Sequence, residues 1–153
     1  MEIEIIKVQS QSDPLDSTRD FGILLKKIQG CIHMLHWYAT DYNVHEILGE
    51  LYESLDGLFD KLQEEIIGTS MIHNVNFPTF NTGLELNNIE QFKGTVKDII
   101  VSYNKISRIT QEVLTSLEFN NYISAVKSGI NNTKEDIITN FNKTSYLLTM
   151  INC

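Results

Sequence analysis

The stretch HWYATDYNVHEILGELYESLDGLFDKLQEE, residues 36–65, decides the fold of this chain of 153 residues. Leucine recurs every three or four positions in its second part, at Leu48, Leu51, Leu55, Leu58 and Leu62. This spacing predicts an amphipathic helix with one buried face. We expect the helix to begin at Asn43, where Glu46 completes a capping box, and to end at Gly68.

Helical periodicity also appears on both sides of this stretch. The first helix is expected to begin near Asp16-Ser17 and to run to about Thr40. A third helix is expected to start near Asn87 or Asn88. The apolar positions that should face the core are, in the first helix, Leu24, Ile28, Cys31, Leu35 and Tyr38, and in the third, Phe92, Val96, Ile99, Tyr103, Ile106, Val113 and Leu117.

The periodicity weakens at residues 118–121. Residues 122–128 either extend the third helix or form a separate turn, and the sequence leaves both open. A break is expected at residues 129–132, which contain glycine and two asparagines. A last helix follows, with core positions at Ile137, Phe141, Leu148 and Ile151.

Four amphipathic helices predict an all-α fold, a four-helix bundle with a long crossover between the second and third helices. We expect one domain over residues 1–153, in which residues 1–15 form an N-terminal extension and residues 69–87 form the crossover linker. No segment alternates like a strand for long enough to build a sheet.

The charge of the chain limits its partners. Net charge is −8, and Lys26-Lys27 is the only basic pair, so nucleic-acid binding is not expected. No apolar run approaches the length of a membrane span, and the N-terminus does not resemble a signal peptide. Cys31 and Cys153 are expected to be free thiols, which indicates a cytoplasmic protein.

A candidate metal site lies on one face of the second helix. With His45 at zero and about 100° per residue, Asp56 falls at about 20°, Asp60 at about 60° and Glu64 at about 100°. His36 flanks the core stripe of the first helix in the same way. Imidazole with carboxylates is the ligand mix of iron, manganese or zinc sites. The alternative is that these side chains are simply the solvated face of a bundle helix.

Known enzyme motifs are missing from this region. His45-Glu46 begins like a zincin helix, but Gly49 stands where the second histidine of HExxH would be. No phosphate-binding glycine loop and no nucleophile elbow are present. Whether the protein is an enzyme stays open.

The residues His36-Trp37, Val44-His45-Glu46, Asp60 and Glu64 resemble the signature of the mini-ferritins, the DNA-protection-during-starvation proteins of the ferritin superfamily. The last helix, over residues 133–148, also looks like theirs. The resemblance implies a ferritin-like bundle that forms a homo-oligomer, usually a hollow shell. It implies that His36 and His45 bind iron together with Asp60 and Glu64 of a neighbouring subunit, and it leaves open whether the iron is also oxidised there.

This chain departs from the mini-ferritin pattern in three ways. The family has an acidic ligand one turn after the second histidine, where this chain has Gly49. Asp56 lies on the correct face as a substitute, although two turns further on. The link between His36 and His45 is shorter than in the family, and the lysine-rich tail is missing.

The same stretch looks even more like a family of small phage-encoded proteins of unknown function. The shared pattern is His33-x-x-His36-Trp37, a tyrosine at Tyr42, His45, and Leu-Gly-Glu-Leu-Tyr-Glu at residues 48–53. This resemblance implies a second hypothesis: a non-catalytic phage accessory or structural module, in the host cytoplasm or the virion, with a protein partner. In that case His36 and His45 would be buried and hydrogen-bonded, and no metal would be bound.

Overall fold

The computed structural model describes residues 14–73, 94–117 and 124–151. These ranges contain four α-helices: α1 Pro14–Tyr38, α2 Tyr42–His73, α3 Val96–Ser116 and α4 Ser124–Thr149. No strand is present in the described ranges, so the prediction of an all-α four-helix bundle is confirmed. None of the helices there is long and apolar enough to cross a membrane.

The core forms where the apolar stripes of the four helices meet. Each helix packs against two others, α2 and α3 both against α1 and α4. The predicted core positions that are buried include Leu24, Ile28, Cys31, Leu35, Leu48, Leu51, Leu55, Leu62, Ile99, Tyr103, Ile106, Val113, Leu117, Ile137, Phe141 and Leu148. Cys31 forms no disulfide within the described residues.

The predicted core position Tyr38 is wrong. Its side chain is 58% exposed, since α1 ends at this residue and the chain then turns into α2. The capping role of Asn43 is also wrong. Asp41 caps α2 instead: its Oδ1 accepts the N–H of Val44 at 3.0 Å, and its carbonyl accepts the N–H of His45 at 3.0 Å.

Neither predicted glycine break interrupts a helix. α2 continues through Gly68 to His73, with Thr69 and Ser70 buried, and α4 runs through Gly129. A helical glycine costs only about 1 kcal/mol relative to alanine, and packing offsets such a cost. At Gly129 an added Cβ would lie 3.2 Å from Glu65 Oε2, so the glycine lets α4 lie close to α2.

The end of α2 and the start of the last helix differ from the sequence prediction. Residues 69–73 of the predicted linker belong to α2, and residues 124–128 belong to the last helix rather than to the third. The expected start of the third helix at Asn87 or Asn88, with Phe92, lies outside the described residues. In the described part α3 begins at Val96. Thr95 is its N-cap, since the side-chain oxygen of Thr95 accepts the N–H of Asp98 at 3.3 Å.

The start of α3 lies beside the turn between α1 and α2. Thr40 donates to the carbonyl of Gly94 from its backbone N–H at 3.1 Å and from its hydroxyl at 2.9 Å. A Cβ at Gly94 would collide with the carbonyl oxygen of Tyr38, so only glycine permits this approach. Further along α3, the buried Tyr103 donates its hydroxyl to the carbonyl of Phe141 in α4.

Candidate functional site

His36 and His45 form a reciprocal pair where α1 meets α2. His36 Nδ1 lies 2.7 Å from the carbonyl oxygen of His45, and His45 Nδ1 lies 2.7 Å from the carbonyl oxygen of His36. A carbonyl oxygen only accepts, so both Nδ1 atoms carry the hydrogen and donate. The rings stack with centroids 3.9 Å apart and planes inclined by 20°. Each imidazole is thus fixed in position and tautomer by the other's backbone.

The pair also closes the end of α1. His36 lies in the last turn of α1, where carbonyl groups lack partners within the helix. The N–H of Thr40, which would bond this carbonyl in a longer helix, donates to Gly94 instead. His45 supplies the missing donor. A histidine on α2 therefore acts as the side-chain cap of α1 and fixes the angle between the two helices.

Gly49 provides the space that the His36 ring occupies. A Cβ built at Gly49 would lie 2.8 Å from Cε1 and 2.9 Å from Nδ1 of His36, closer than real Cβ contacts. The acidic ligand that the mini-ferritin resemblance places at this position is therefore incompatible with His36 as it lies here. The glycine that removes the carboxylate ligand is therefore also the residue that makes room for the histidine pair.

The ring stack extends along α1 through His33. The His33 ring lies 3.8 Å from that of Tyr52 at an angle of 15°, and 4.1 Å from that of Trp37 at 43°. The His33 and His36 rings are 6.1 Å apart and nearly parallel. Burial, and secondarily repulsion from a charged His36, hold the pKa of His33 below its ordinary value of 6.5.

A pocket opens beside this stack. Its volume is about 380 Å³. It is lined by His33, His36, Gly49 and Tyr52 and by three glutamates of α2, namely Glu46, Glu50 and Glu53. We call it the histidine–glutamate pocket. Neither lysine nor arginine is among the described residues that line it, so the three glutamates give this lining a negative charge.

The predicted carboxylate ligands lie far from the histidine pair of the same chain. At about 1.5 Å per residue, Asp60 is about 22 Å and Glu64 about 28 Å along α2 from His45. Asp56 accepts a hydrogen bond from Gln29 Nε2 at 2.9 Å. Asp56 and Asp60 line a separate groove of about 750 Å³ between α1 and α2, and Glu64 is exposed.

One chain therefore brings together His36 and His45 but not the three carboxylates with them. Within the described ranges, no three His, Cys, Asp or Glu side chains group closely enough to hold a metal ion. A site of the kind that the resemblance implies needs Asp60 and Glu64 from a second chain.

Several residues of the site are not among the ligands predicted from the sequence. They are His33, Glu46, Glu50, Tyr52 and Glu53. Two signals point to them. Glu46, Glu50 and Glu53 are spaced by four and three residues, which places them on one helix face. The pattern on which the resemblance to the phage proteins rests contains His33, Glu50, Tyr52 and Glu53, whereas Glu46 belongs to the mini-ferritin-like motif.

Comparison with known proteins found no relative of this chain. No protein-family model matches the chain, and no curated protein and no solved structure matches it either.

Proposed function

We propose that the chain is a mini-ferritin-like subunit that binds iron between two copies of itself. His36 and His45 of one chain would bind the ion together with Asp60 and Glu64 of the other. The observation that carries the proposal is the reciprocal hydrogen bonding of the two imidazoles. With Nδ1 donating to a carbonyl, Nε2 of each ring holds the lone pair that binds a metal, and the hydrogen bond fixes the orientation of the ring.

The residues present fit part of the ligand set. Asp60 and Glu64 are exposed on α2 and so are accessible to a second chain. Gly49 supplies no carboxylate, and Asp56 is a weak substitute because Gln29 already occupies it. Iron held by imidazole and carboxylate supplies redox chemistry toward dioxygen or peroxide. Since one expected ligand is missing, the proposal is for binding and does not extend to oxidation.

The position of α3 supports the ferritin-like form of the bundle. Gly94 lies beside Thr40, so α2 and α3 both begin at the same end of the bundle. Two consecutive helices that begin at the same end run in the same direction. A long crossover between them is the connection that ferritin-like bundles use.

Complementation between two variants tests the shared site. The first variant is His36→Ala/His45→Ala, and the second is Asp60→Asn/Glu64→Gln. Neither variant alone is expected to bind Zn²⁺, or Fe²⁺ under anaerobic conditions, when binding is measured by calorimetry. After co-expression, mixed oligomers are expected to regain part of it, because one histidine pair again faces one carboxylate pair.

A matched control removes the same charge elsewhere. Glu135→Gln/Asp136→Asn alters two exposed carboxylates on α4 and is expected to leave binding unchanged. The second variant leaves the hydrogen-bonded histidine pair intact and is therefore expected to fold. Circular dichroism checks this. If it binds metal like the wild type, the carboxylates are not ligands and the proposal is wrong.

A second candidate function is an accessory module that binds a protein and holds no metal. Aromatic exposure at the turn between α1 and α2 favours it: Trp37 and Tyr38 are each 58% exposed and Tyr42 is 71% exposed. Exposed aromatic side chains of this kind mark protein interfaces. Here the histidine pair would serve only to fix the helix hairpin. His45→Ala would then lower the melting temperature equally with and without added metal.

A further inference from the structure

We propose that the end of the bundle where α1 meets α2 is a docking surface for an arginine-bearing segment of another protein. The guanidinium group of that segment would enter the histidine–glutamate pocket. This inference does not depend on the iron proposal, since its carboxylates, Glu46, Glu50 and Glu53, are not among the metal ligands proposed above; of the residues that line the pocket, only His36 is.

Charge complementarity identifies the occupant as a cation. Among the residues that the structure describes, the pocket is lined by Glu46, Glu50 and Glu53 and by no basic side chain other than histidine. The chain as a whole carries −8, which adds to the attraction of a basic partner.

The size and the walls of the pocket favour guanidinium over a metal ion or an ammonium group. A volume of about 380 Å³ falls in the range of pockets that bind organic groups. Its lining combines the nearly parallel rings of His33 and Tyr52 with the carboxylates of Glu46, Glu50 and Glu53. A guanidinium group is planar, stacks on rings and bonds carboxylates through two N–H groups at once, whereas lysine offers only a point charge.

The aromatic surroundings indicate a polypeptide rather than a small molecule. Trp37 contacts His33, which lines the pocket, and Tyr42 lies next to His45. Both side chains are more than half exposed. They extend the surface beyond the pocket, so residues that flank the arginine would pack on them, as aromatic side chains do at interface centres.

Trp37 gives a direct probe, because it is the only tryptophan in the chain. The indole N–H resonance of the full-length ¹⁵N-labelled protein would be followed during titration with three blocked pentapeptides. They are Gly-Arg-Gly-Arg-Gly and the same peptide with lysine or with neutral citrulline in place of arginine. A saturable shift is expected with the arginine peptide. Affinity should be about tenfold lower for the lysine peptide and lost for citrulline.

Variants locate the binding. Glu50→Gln/Glu53→Gln is expected to weaken the arginine peptide about tenfold or more, while the matched control Glu135→Gln/Asp136→Asn has no effect. Equal weakening in both variants would mean general attraction to a negative protein and would overturn the proposal. So would equal binding of the arginine and citrulline peptides, or no saturable shift.

Methylguanidinium separates a small ligand from a protein partner. It is expected to bind at the same resonances about tenfold more weakly than the peptide, and Tyr42→Ala should weaken the peptide but not methylguanidinium. If methylguanidinium binds as tightly as the peptide, the assignment to a protein partner is wrong.

Discussion

The ring of His36 on α1 fills the space that a side chain at position 49 of α2 would need. A Cβ at Gly49 would lie 2.8 Å from His36 Cε1. With His36 there, its Nδ1 donates to the carbonyl of His45, and His45 donates back to His36. The glycine, the two histidines and the tight turn between the helices therefore depend on one another.

Gly49→Ala is expected to destabilise the protein even though alanine favours helices. The new methyl group would displace the His36 ring, at a cost of about 1–3 kcal/mol that exceeds the gain of about 1 kcal/mol in helix propensity. Gly57→Ala is the matched control, because nothing lies within 4 Å of its Cβ position. Gly57→Ala should raise the free energy of unfolding in urea, and Gly49→Ala should lower it. Stabilisation by both would contradict the contact.

A double-mutant cycle tests whether contact with His36 is the reason why Gly49→Ala destabilises the protein. With His36→Ala in place, the space over Gly49 is open, so adding Gly49→Ala should no longer destabilise and should stabilise by up to about 1 kcal/mol. Urea unfolding of the wild type, both single variants and the double variant gives the coupling energy. Additive effects would show that the cost of alanine at position 49 comes from elsewhere.

Acid is expected to weaken the fold through His33. Its folded pKa is below 6.5, so the unfolded chain binds the proton more readily. By linkage, the stability that neutral His33 contributes is complete above pH 6.5 and is lost as the pH falls through the lowered folded value. The carboxylates of Glu46, Glu50 and Glu53, which line the same pocket, oppose part of this effect.

The measurement is the free energy of unfolding from pH 8 to pH 5. His33→Phe keeps an uncharged ring in the stack and should make the fall shallower over that range. An NMR titration of the His33 ring protons gives its pKa directly. A value at or above 6.5 would contradict this prediction.

Tyr103→Phe is expected to cost about 1 kcal/mol. Its hydroxyl is buried and donates to the carbonyl of Phe141, and burial raises the pKa of this phenol. Tyr146 is 63% exposed, so Tyr146→Phe should change the stability by less than about 0.5 kcal/mol. Thermal unfolding of both variants checks this. Equal effects of the two substitutions would show that the buried hydrogen bond of Tyr103 adds nothing to the free energy of unfolding.

Periodicity predicted the bundle well because burial of an apolar stripe depends on spacing alone. Leu48, Leu55 and Ile137, for example, are buried as their spacing indicates. Helix ends were less predictable. Gly68 and Gly129 lie within helices because tertiary packing offsets the small cost of a glycine, and sequence spacing does not report that packing.

The candidate site was predictable only in part. Spacing placed His36 and His45 beside the core, but it did not predict that each ring bonds the other's backbone, since this requires the angle between α1 and α2. The role of Gly49 depends on the same angle. The assignment of Asp60 and Glu64 stays a prediction, because it concerns a second chain.

The most direct test of the central claim is the metal content of the protein together with its native mass. Elemental analysis on the size-exclusion peak, after loading with Fe²⁺ under anaerobic conditions, gives both. The proposal predicts an oligomer with about one bound ion per chain, because a site shared between two copies repeats once per chain by symmetry. A metal-free monomer that takes up no added iron would contradict it.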